Sequence, residues 1–347
     1  MRAMPPPRRI LFLLKGDHET LPRAEVEAIL EAEGFKYEAR PGAPQVFRCL
    51  APIEAAYRVA ERAYYLRACA EELFTAPDDP SMILSSLSDL ELDLQAGRRF
   101  WVRIRRVRGG GRDVDVNSLR RGMLNQIESR TGGVPDLARP QVVYLGVFSG
   151  GSFYFGRVLA WGRGGLEGRR AKNRPFFHPS TLQPKLAGCM VNLTRVRAGE
   201  LLLDPFCGAG AILMEASILG CIPIGLDISP KMVRGSRLNL EYFCPPPYHL
   251  SLGDARRLPF RELGAIATDP PYGRAASTVG VELRSLYEDF LHSAYDILRP
   301  GGYLCMAGPD TLGVTYMGLE DGFIHVESHL MRVHGSLTRE IAVFRRP

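Results

Sequence analysis

The hydrophobic pattern of the chain changes character once, at about residue 186. Before that point, strands and helices follow no fixed alternation. Ile10–Leu14 reads as a strand, and Leu21-Pro22-Arg23-Ala24-Glu25 starts a helix with Thr20 as N-cap and Val26, Ile29 and Leu30 on one face. A strand at Val46–Leu50, a helix at Glu54–Ala60 and extended chain at Tyr64–Cys69 follow. The order βαββαβ over 1–70 predicts a ferredoxin-like domain. Over 71–162 the pattern predicts a helix near Ser81–Leu87, a strand Phe100–Arg105, a helix Val116–Ser129, and strands near Val142–Phe148 and Phe153–Leu159. In the strand Phe100–Arg105, Val102 and Ile104 share one face, and Trp101, Arg103 and Arg105 share the other.

Residues 163–185 are rich in Gly, Arg and Pro and read as a linker. From 186 to 347, helix and strand alternate. Strands are expected at Leu201–Asp204, Pro223–Asp227, Ala265–Asp269 and Gly302–Met306, with a short edge near His249–Leu252. Helices are expected at Lys185–Leu193, Ala211–Leu219, Pro230–Phe243 and Glu282–Leu298. An antiparallel pair, Phe323–Val333 and Ile341–Arg345, closes the chain. This regime predicts an α/β, doubly wound, Rossmann-like domain behind the α+β segments.

At 347 residues the chain is long enough for two or three domains. No apolar run approaches the roughly 18 residues that span a bilayer. The short apolar stretch at the N-terminus runs into Lys15-Gly16-Asp17, a poor signal peptide. The seven cysteines form no close pairs, which argues against a zinc knuckle and for a reducing cytoplasm. The histidines show no metal spacing, and His325 and His329 lie roughly 13 Å apart on an expected strand. No metal site is expected.

Charge adds a division of labour. Residues 1–185 hold 29 Lys and Arg against 21 Asp and Glu, whereas 186–347 hold 15 against 17. The excess is densest in 97–174, with 17 basic residues to 5 acidic, and 39 of the 44 basic residues are Arg. Planar Arg forks match phosphate geometry, so a polyanion-binding module beside a nearly neutral catalytic one is expected. Arg103, Arg105, Arg120 and Arg121 are the candidate RNA contacts. A solvated basic face is the plainer alternative.

Two loops carry the chemistry. Leu201-Leu202-Leu203-Asp204-Pro205-Phe206-Cys207-Gly208-Ala209-Gly210 puts a Gly-x-Gly turn between a buried strand and a helix. Asp227 ends the next strand, nineteen residues after Gly208, where an acid can grip a ribose. Leu213 stands where a dinucleotide fingerprint wants a small residue, and Asp204 would repel pyrophosphate while suiting a cationic amino-acid end. Those features favour S-adenosylmethionine over NAD. Asp254 is placed to accept from an adenine amino group. Phe206, Cys207, Gly208, Gly210, Ile228 and Ala255 complete the candidate cofactor set, with His178 as a candidate contact that serves equally well as a surface or capping residue.

The second loop is Thr268-Asp269-Pro270-Pro271-Tyr272-Gly273. The lone pair of an exocyclic base amine is conjugated with its ring. Two acceptors, the Asp269 carboxylate and the Pro270 carbonyl, can draw that nitrogen toward tetrahedral geometry while Tyr272 stacks on the base. These three are the candidate catalytic residues.

With these motifs, residues 186–347 resemble a class I S-adenosylmethionine-dependent amino-methyltransferase. The segment Arg174-Pro175-Phe176-Phe177-His178-Pro179-Ser180 resembles the one that closes over the cofactor, and residues 71–162 resemble a THUMP RNA-binding domain. The whole order, with Arg332-Val333-His334-Gly335-Ser336-Leu337-Thr338-Arg339, resembles the archaeal tRNA guanine-10 N2-methyltransferases. The resemblance implies methylation of guanine N2 in tRNA, with one or two methyls added, and admits a small activating protein subunit. A DNA adenine or cytosine amino-methyltransferase and a non-catalytic RNA-binding scaffold remain as alternatives at this point.

Overall fold

A computed structural model describes residues 6–179, 181–272, 283–335 and 337–347. The expected features at Ser180, Gly273, Glu282 and Ser336 lie outside the described residues. The chain forms two compact units. One comprises Met1–Arg23, Gly34–Glu61 and Tyr65–Arg163; the other comprises Ala24–Glu33, Arg62–Tyr64 and Gly164–Pro347.

The N-terminal elements are β1 (Arg8–Leu14), α1 (Leu21–Ala32), β2 (Glu38–Ala43), β3 (Val46–Ala51), α2 (Ile53–Arg62) and β4 (Leu66–Pro77). After them come α3 (Pro80–Ser88), β5 (Arg99–Arg106), α4 (Val116–Thr131), β6 (Val134–Pro135), β7 (Val142–Ser149) and β8 (Ser152–Trp161). All eight strands join one sheet, in the order β2-β3-β1-β4-β8-β7-β5-β6. Its first four strands pair antiparallel in the ferredoxin-like order. β5 and β7 run parallel, as a crossover through α4 requires.

β4 continues through the expected border at 70 and pairs with β8 as far as Pro77↔Ser152. The acidic pair Glu71-Glu72 looks like a strand end, yet Glu72 is buried. Arg48 on β3 compensates its charge with a bond of 2.7 Å to one carboxylate oxygen and a second bond of 2.5 Å to the other. α4 begins where Asp115 accepts the amides of Asn117 and Ser118, and it ends at Gly132 in the left-handed region, φ 69°. Phe100, Val102, Met123, Tyr144 and Phe155 form the core beneath it.

The second unit adds α5 (Pro184–Leu193), β9 (Leu201–Asp204), α6 (Ala211–Ile218), β10 (Ile222–Asp227), α7 (Pro230–Phe243) and β11 (His249–Leu252). It continues with β12 (Leu263–Thr268), α8 (Leu283–Ile297), β13 (Leu298–Pro309), α9 (Val314–Glu320), β14 (Ile324–His334) and β15 (Leu337–Arg345). Its seven-stranded sheet has the order β11-β10-β9-β12-β13-β15-β14. β9 to β13 pair in parallel, and β15 enters antiparallel between β13 and β14. The order reverses between β9 and β12, and ligands bind at such a switch point, beyond the strands' carboxyl ends.

Glu215 on α6 is fully buried. It receives the Tyr64 hydroxyl at 2.7 Å and two bonds from Arg169, at 2.9 and 3.0 Å. Asn192 on α5 donates to Glu25 at 2.9 Å, and Arg62 donates to the Val196 carbonyl at 2.7 Å. These bonds explain why pieces of α1 and α2 belong to the second unit. They also hold the expected linker in place: Phe176 fills the space over Gly235, and Asn239 brackets the Phe176 backbone with bonds of 2.9 and 3.0 Å.

Candidate active site

Four acids stand at or just beyond the carboxyl ends of neighbouring parallel strands: Asp204 ending β9, Asp227 ending β10, Asp254 after β11 and Asp269 after β12. The strands bring them together although they are 65 residues apart in sequence, counted from Asp204 to Asp269. Asp204 is buried. It accepts the Thr268 hydroxyl at 2.8 Å and the Phe206 amide at 3.2 Å, and it has no cationic partner among the described residues. Burial pushes its carboxyl up to about 8. Such a group favours a cation beside it, because a positive charge restores the solvation that burial removes.

Asp227 accepts the Gly208 amide at 2.8 Å and the Ser229 amide at 2.9 Å. Its carboxyl is raised by burial, opposed by those two amides and by the charge of His178. Gly208 has φ 50°, and a Cβ built on it meets nothing closer than the Phe206 carbonyl oxygen at 3.9 Å. Gly210 has φ 79°, and a Cβ there runs into Ser236. The turn thus leaves open space above Gly208 and permits no side chain at Gly210. Beside Asp227, Ile228 exposes an apolar side chain. Open space over a glycine turn, an acid at the next strand end, an exposed aliphatic side chain and a buried carboxylate in want of a cation fit a nucleoside bearing a cationic amino-acid tail.

Ala255 is buried. Asp254, the expected acceptor for an adenine amino group, is held by Arg256, which forks onto both its oxygens at 3.0, 3.0 and 2.6 Å. The side chain of Cys207 lies against Gly225 and is buried, and burial holds its thiol well above the usual range, so packing accounts for it. All seven cysteines are buried, and none forms a disulfide. Among the described residues, no cluster of His, Cys, Asp and Glu is arranged to hold a metal ion.

Asp269 and Tyr272 are joined directly: the tyrosine hydroxyl donates to the carboxylate. Pro270 is buried between them in sequence, and the next carbonyl, that of Pro271, accepts the Tyr287 hydroxyl at 3.3 Å. Sequence reasoning assigned no role to Arg339, which completes this cluster. Its Nε donates to the Tyr272 hydroxyl at 2.7 Å, its Nη2 lies 3.6 Å from Asp269 Oδ2, and its guanidinium stands over the tyrosine ring, 5.3 Å from the centroid. The signal was its position at the end of the Arg332–Arg339 run. Burial raises the Asp269 carboxyl, and Arg339 and the Tyr272 hydroxyl pull it back.

The candidate RNA contacts lie in the other unit. Arg105 and Arg121 are exposed. Arg103 is half-buried, with its guanidinium over the Trp161 ring, 5.0 Å from the centroid. Arg120 is also half-buried and bonds Asn117 of its own helix at 3.1 Å.

The sheet order, with acids along its switch-point edge, defines a class I S-adenosylmethionine-dependent methyltransferase. The profile of a family described as an RMKL-like methyltransferase domain matches residues 171–341. A tRNA (guanine(10)-N2)-dimethyltransferase of Methanothermobacter thermautotrophicus is 36% identical over 340 residues, which are 97% of this chain and 99% of that protein. An enzyme of the same name from Pyrococcus abyssi is 33% identical over 74% of this chain and 80% of its own length. Among solved structures, TrmN from Thermus thermophilus superposes with a TM-score of 0.55 at 21% identity, covering 98% of this chain and all of that one. The chain belongs to the tRNA (guanine(10)-N2)-dimethyltransferase family.

Proposed function

We propose that this chain transfers methyl groups from S-adenosylmethionine to the exocyclic N2 of a tRNA guanine, at position 10. The observation that carries the reading is the pairing of the Asp269-Pro270-Pro271-Tyr272 loop with the Asp204/Gly208/Asp227 cradle at one switch point. It is joined by near full-length similarity to enzymes named for that reaction. S-adenosylmethionine, when bound, supplies an electrophilic methyl on a sulfonium. Asp227 holds the ribose, Asp204 faces the cationic tail, and the 206–210 turn, Ile228 and Ala255 line the nucleoside. His178 closes over it from the 174–179 segment. Asp254, held by Arg256, sits at the adenine end.

For the acceptor, Asp269 and the Pro270 carbonyl take the hydrogens of the guanine amine and orient its lone pair. Tyr272 stacks on the extruded base. The sulfonium charge is lost in the transition state, so the residues have little acid catalysis to supply.

Residues 71–162 serve as a THUMP module, with 1–70 as the ferredoxin-like domain before it. Arg103, Arg105, Arg120 and Arg121 hold tRNA by backbone and shape. Among the described residues no helix is long and apolar enough to cross a membrane, and we place the reaction in the cytoplasm. A small activating subunit has an open strand edge at β11, which ends the sheet. Leu252 on that strand, and Leu238 and Tyr242 on α7, are exposed. Nucleoside mass spectrometry of tRNA treated with the purified chain tests the reading. N2-methylguanosine or N2,N2-dimethylguanosine is expected, and its absence with and without cell extract would overturn it.

A further inference from the structure

The guanidinium of Arg339 stands at the hydroxyl end of the Tyr272 ring, 5.3 Å from the ring centroid, with its Nε 2.7 Å from the hydroxyl. The hydroxyl is also used at both ends, donating to Asp269 and accepting from Arg339 Nε, so it cannot rotate without breaking a charge-assisted bond. Arg339 is itself fixed: its backbone lies in β15, between Pro309 of β13 and Met331 of β14. The anchor for a loop residue thus comes from a sheet interior, 67 residues further along the chain.

We infer that Arg339 is a positioning residue for methyl transfer: it holds the Tyr272 hydroxyl, and with it the ring on which the target base stacks, and braces the Asp269 carboxylate. The inference rests on the function proposed above for the Asp269–Tyr272 loop. Four charged or titratable groups bear on one another here: Asp269, Arg339 from β15, Tyr272 from the same loop, and Tyr287 from α8. Asp204, from β9, is a further acid within reach of Asp269. Arg339 is the one cation in this set. Without it the carboxylate keeps, among the described residues, the Tyr272 hydroxyl as donor and a neighbouring acid, so its ionised form, the form that accepts from an amine, is disfavoured.

The test compares the full chain with Arg339→Gln and Arg339→Lys. The measurements are methyl transfer to tRNA across pH, the KM for tRNA and the dissociation constant of the cofactor. Arg339→Gln should lower kcat by about 100-fold through misplacement of the reacting groups, with cofactor affinity and tRNA KM nearly unchanged, and should move the acid limb of kcat to higher pH. Arg339→Lys should return the acid limb toward its original position and recover kcat only in part, because an ammonium restores charge but not the fork that reaches both the Tyr272 hydroxyl and Asp269. A Gln variant with unchanged kcat overturns the inference. So does a kcat loss whose acid limb stays in place in both variants, since that marks a purely structural role. Carboxyl 13C NMR of the free protein, assigned with Asp269→Asn, reads the same brace without substrate. The Asp269 resonance should titrate at higher pH in Arg339→Gln, and an unmoved titration refutes the brace. Failure of the unaltered chain to methylate tRNA overturns the function instead, and the NMR result still decides the ion pair.

Discussion

The Asp227 carboxylate accepts the Gly208 amide at 2.8 Å, so the acid that ends β10 fixes the turn that follows β9. One oxygen accepts that amide and the other accepts the Ser229 amide.

Asp227→Ala should weaken cofactor binding at least tenfold. Two charge-assisted bonds to a ribose, at roughly 1.5–3 kcal/mol each, are lost together with the brace on the turn. Titration calorimetry with S-adenosylmethionine checks this, and an unchanged dissociation constant moves the ribose site elsewhere.

Asp269→Asn should do the opposite. The amide keeps the size of the carboxylate and loses its charge and half its acceptors. Transfer should fall by about 100-fold or more, while cofactor affinity changes little. Single-turnover transfer, set beside calorimetry on the same variant, separates the two effects.

The strands and helices around this site were legible because each carries its own local signal. An apolar run ends in Asp204 and a Gly-x-Gly turn; Pro230 opens a helix after Asp227. Where the signal is non-local, the reading stopped short. The expected strand stopped at Cys69, short of Glu71 and Glu72, and the partner Arg48 on β3 explains why Glu72 can be buried there. The seven-residue α9 follows a left-handed Gly313 and is too short for a helical period to register. Arg339 looked like one arginine among 39 until β15 brought it onto Tyr272.

Asp204 makes binding depend on pH. Its carboxyl, pushed up to about 8 by burial, is protonated in the free protein below that pH, and a cationic ligand favours the ionised form. Binding should therefore release a proton, and affinity should rise with pH toward about 8 and level off above it. For folding the sign is the reverse. The native state holds this proton more tightly than the unfolded chain, so this group's contribution to stability falls as pH rises from the ordinary 3.8 through about 8. Calorimetry in buffers of different ionisation enthalpy counts the proton, and Asp204→Asn should abolish its release.

The basic unit supplies the last prediction. Arg105 and Arg121 are exposed, whereas Arg120 is half-buried and tied to Asn117. If these residues meet phosphates, tRNA affinity falls with salt, and each productive Arg removed should flatten the log–log slope by up to ~1. Arg105→Ala and Arg121→Ala should show this more fully than Arg120→Ala, whose main effect should be on stability. Arg103→Ala should weaken binding, and it also strips the cation from the Trp161 ring, so its thermal midpoint must be read alongside. A chain cut near residue 163 is not a clean control. It loses Tyr64 and Glu25, leaving buried Glu215 without one donor and Asn192 without an acceptor, and such losses cost about 1–3 kcal/mol for each orphaned group. The truncated chain should thus bind cofactor weakly for reasons of stability alone, and point variants in the intact protein are the decisive measurement. Salt slopes that stay unchanged in Arg103, Arg105 and Arg121 variants would remove tRNA phosphates from these residues.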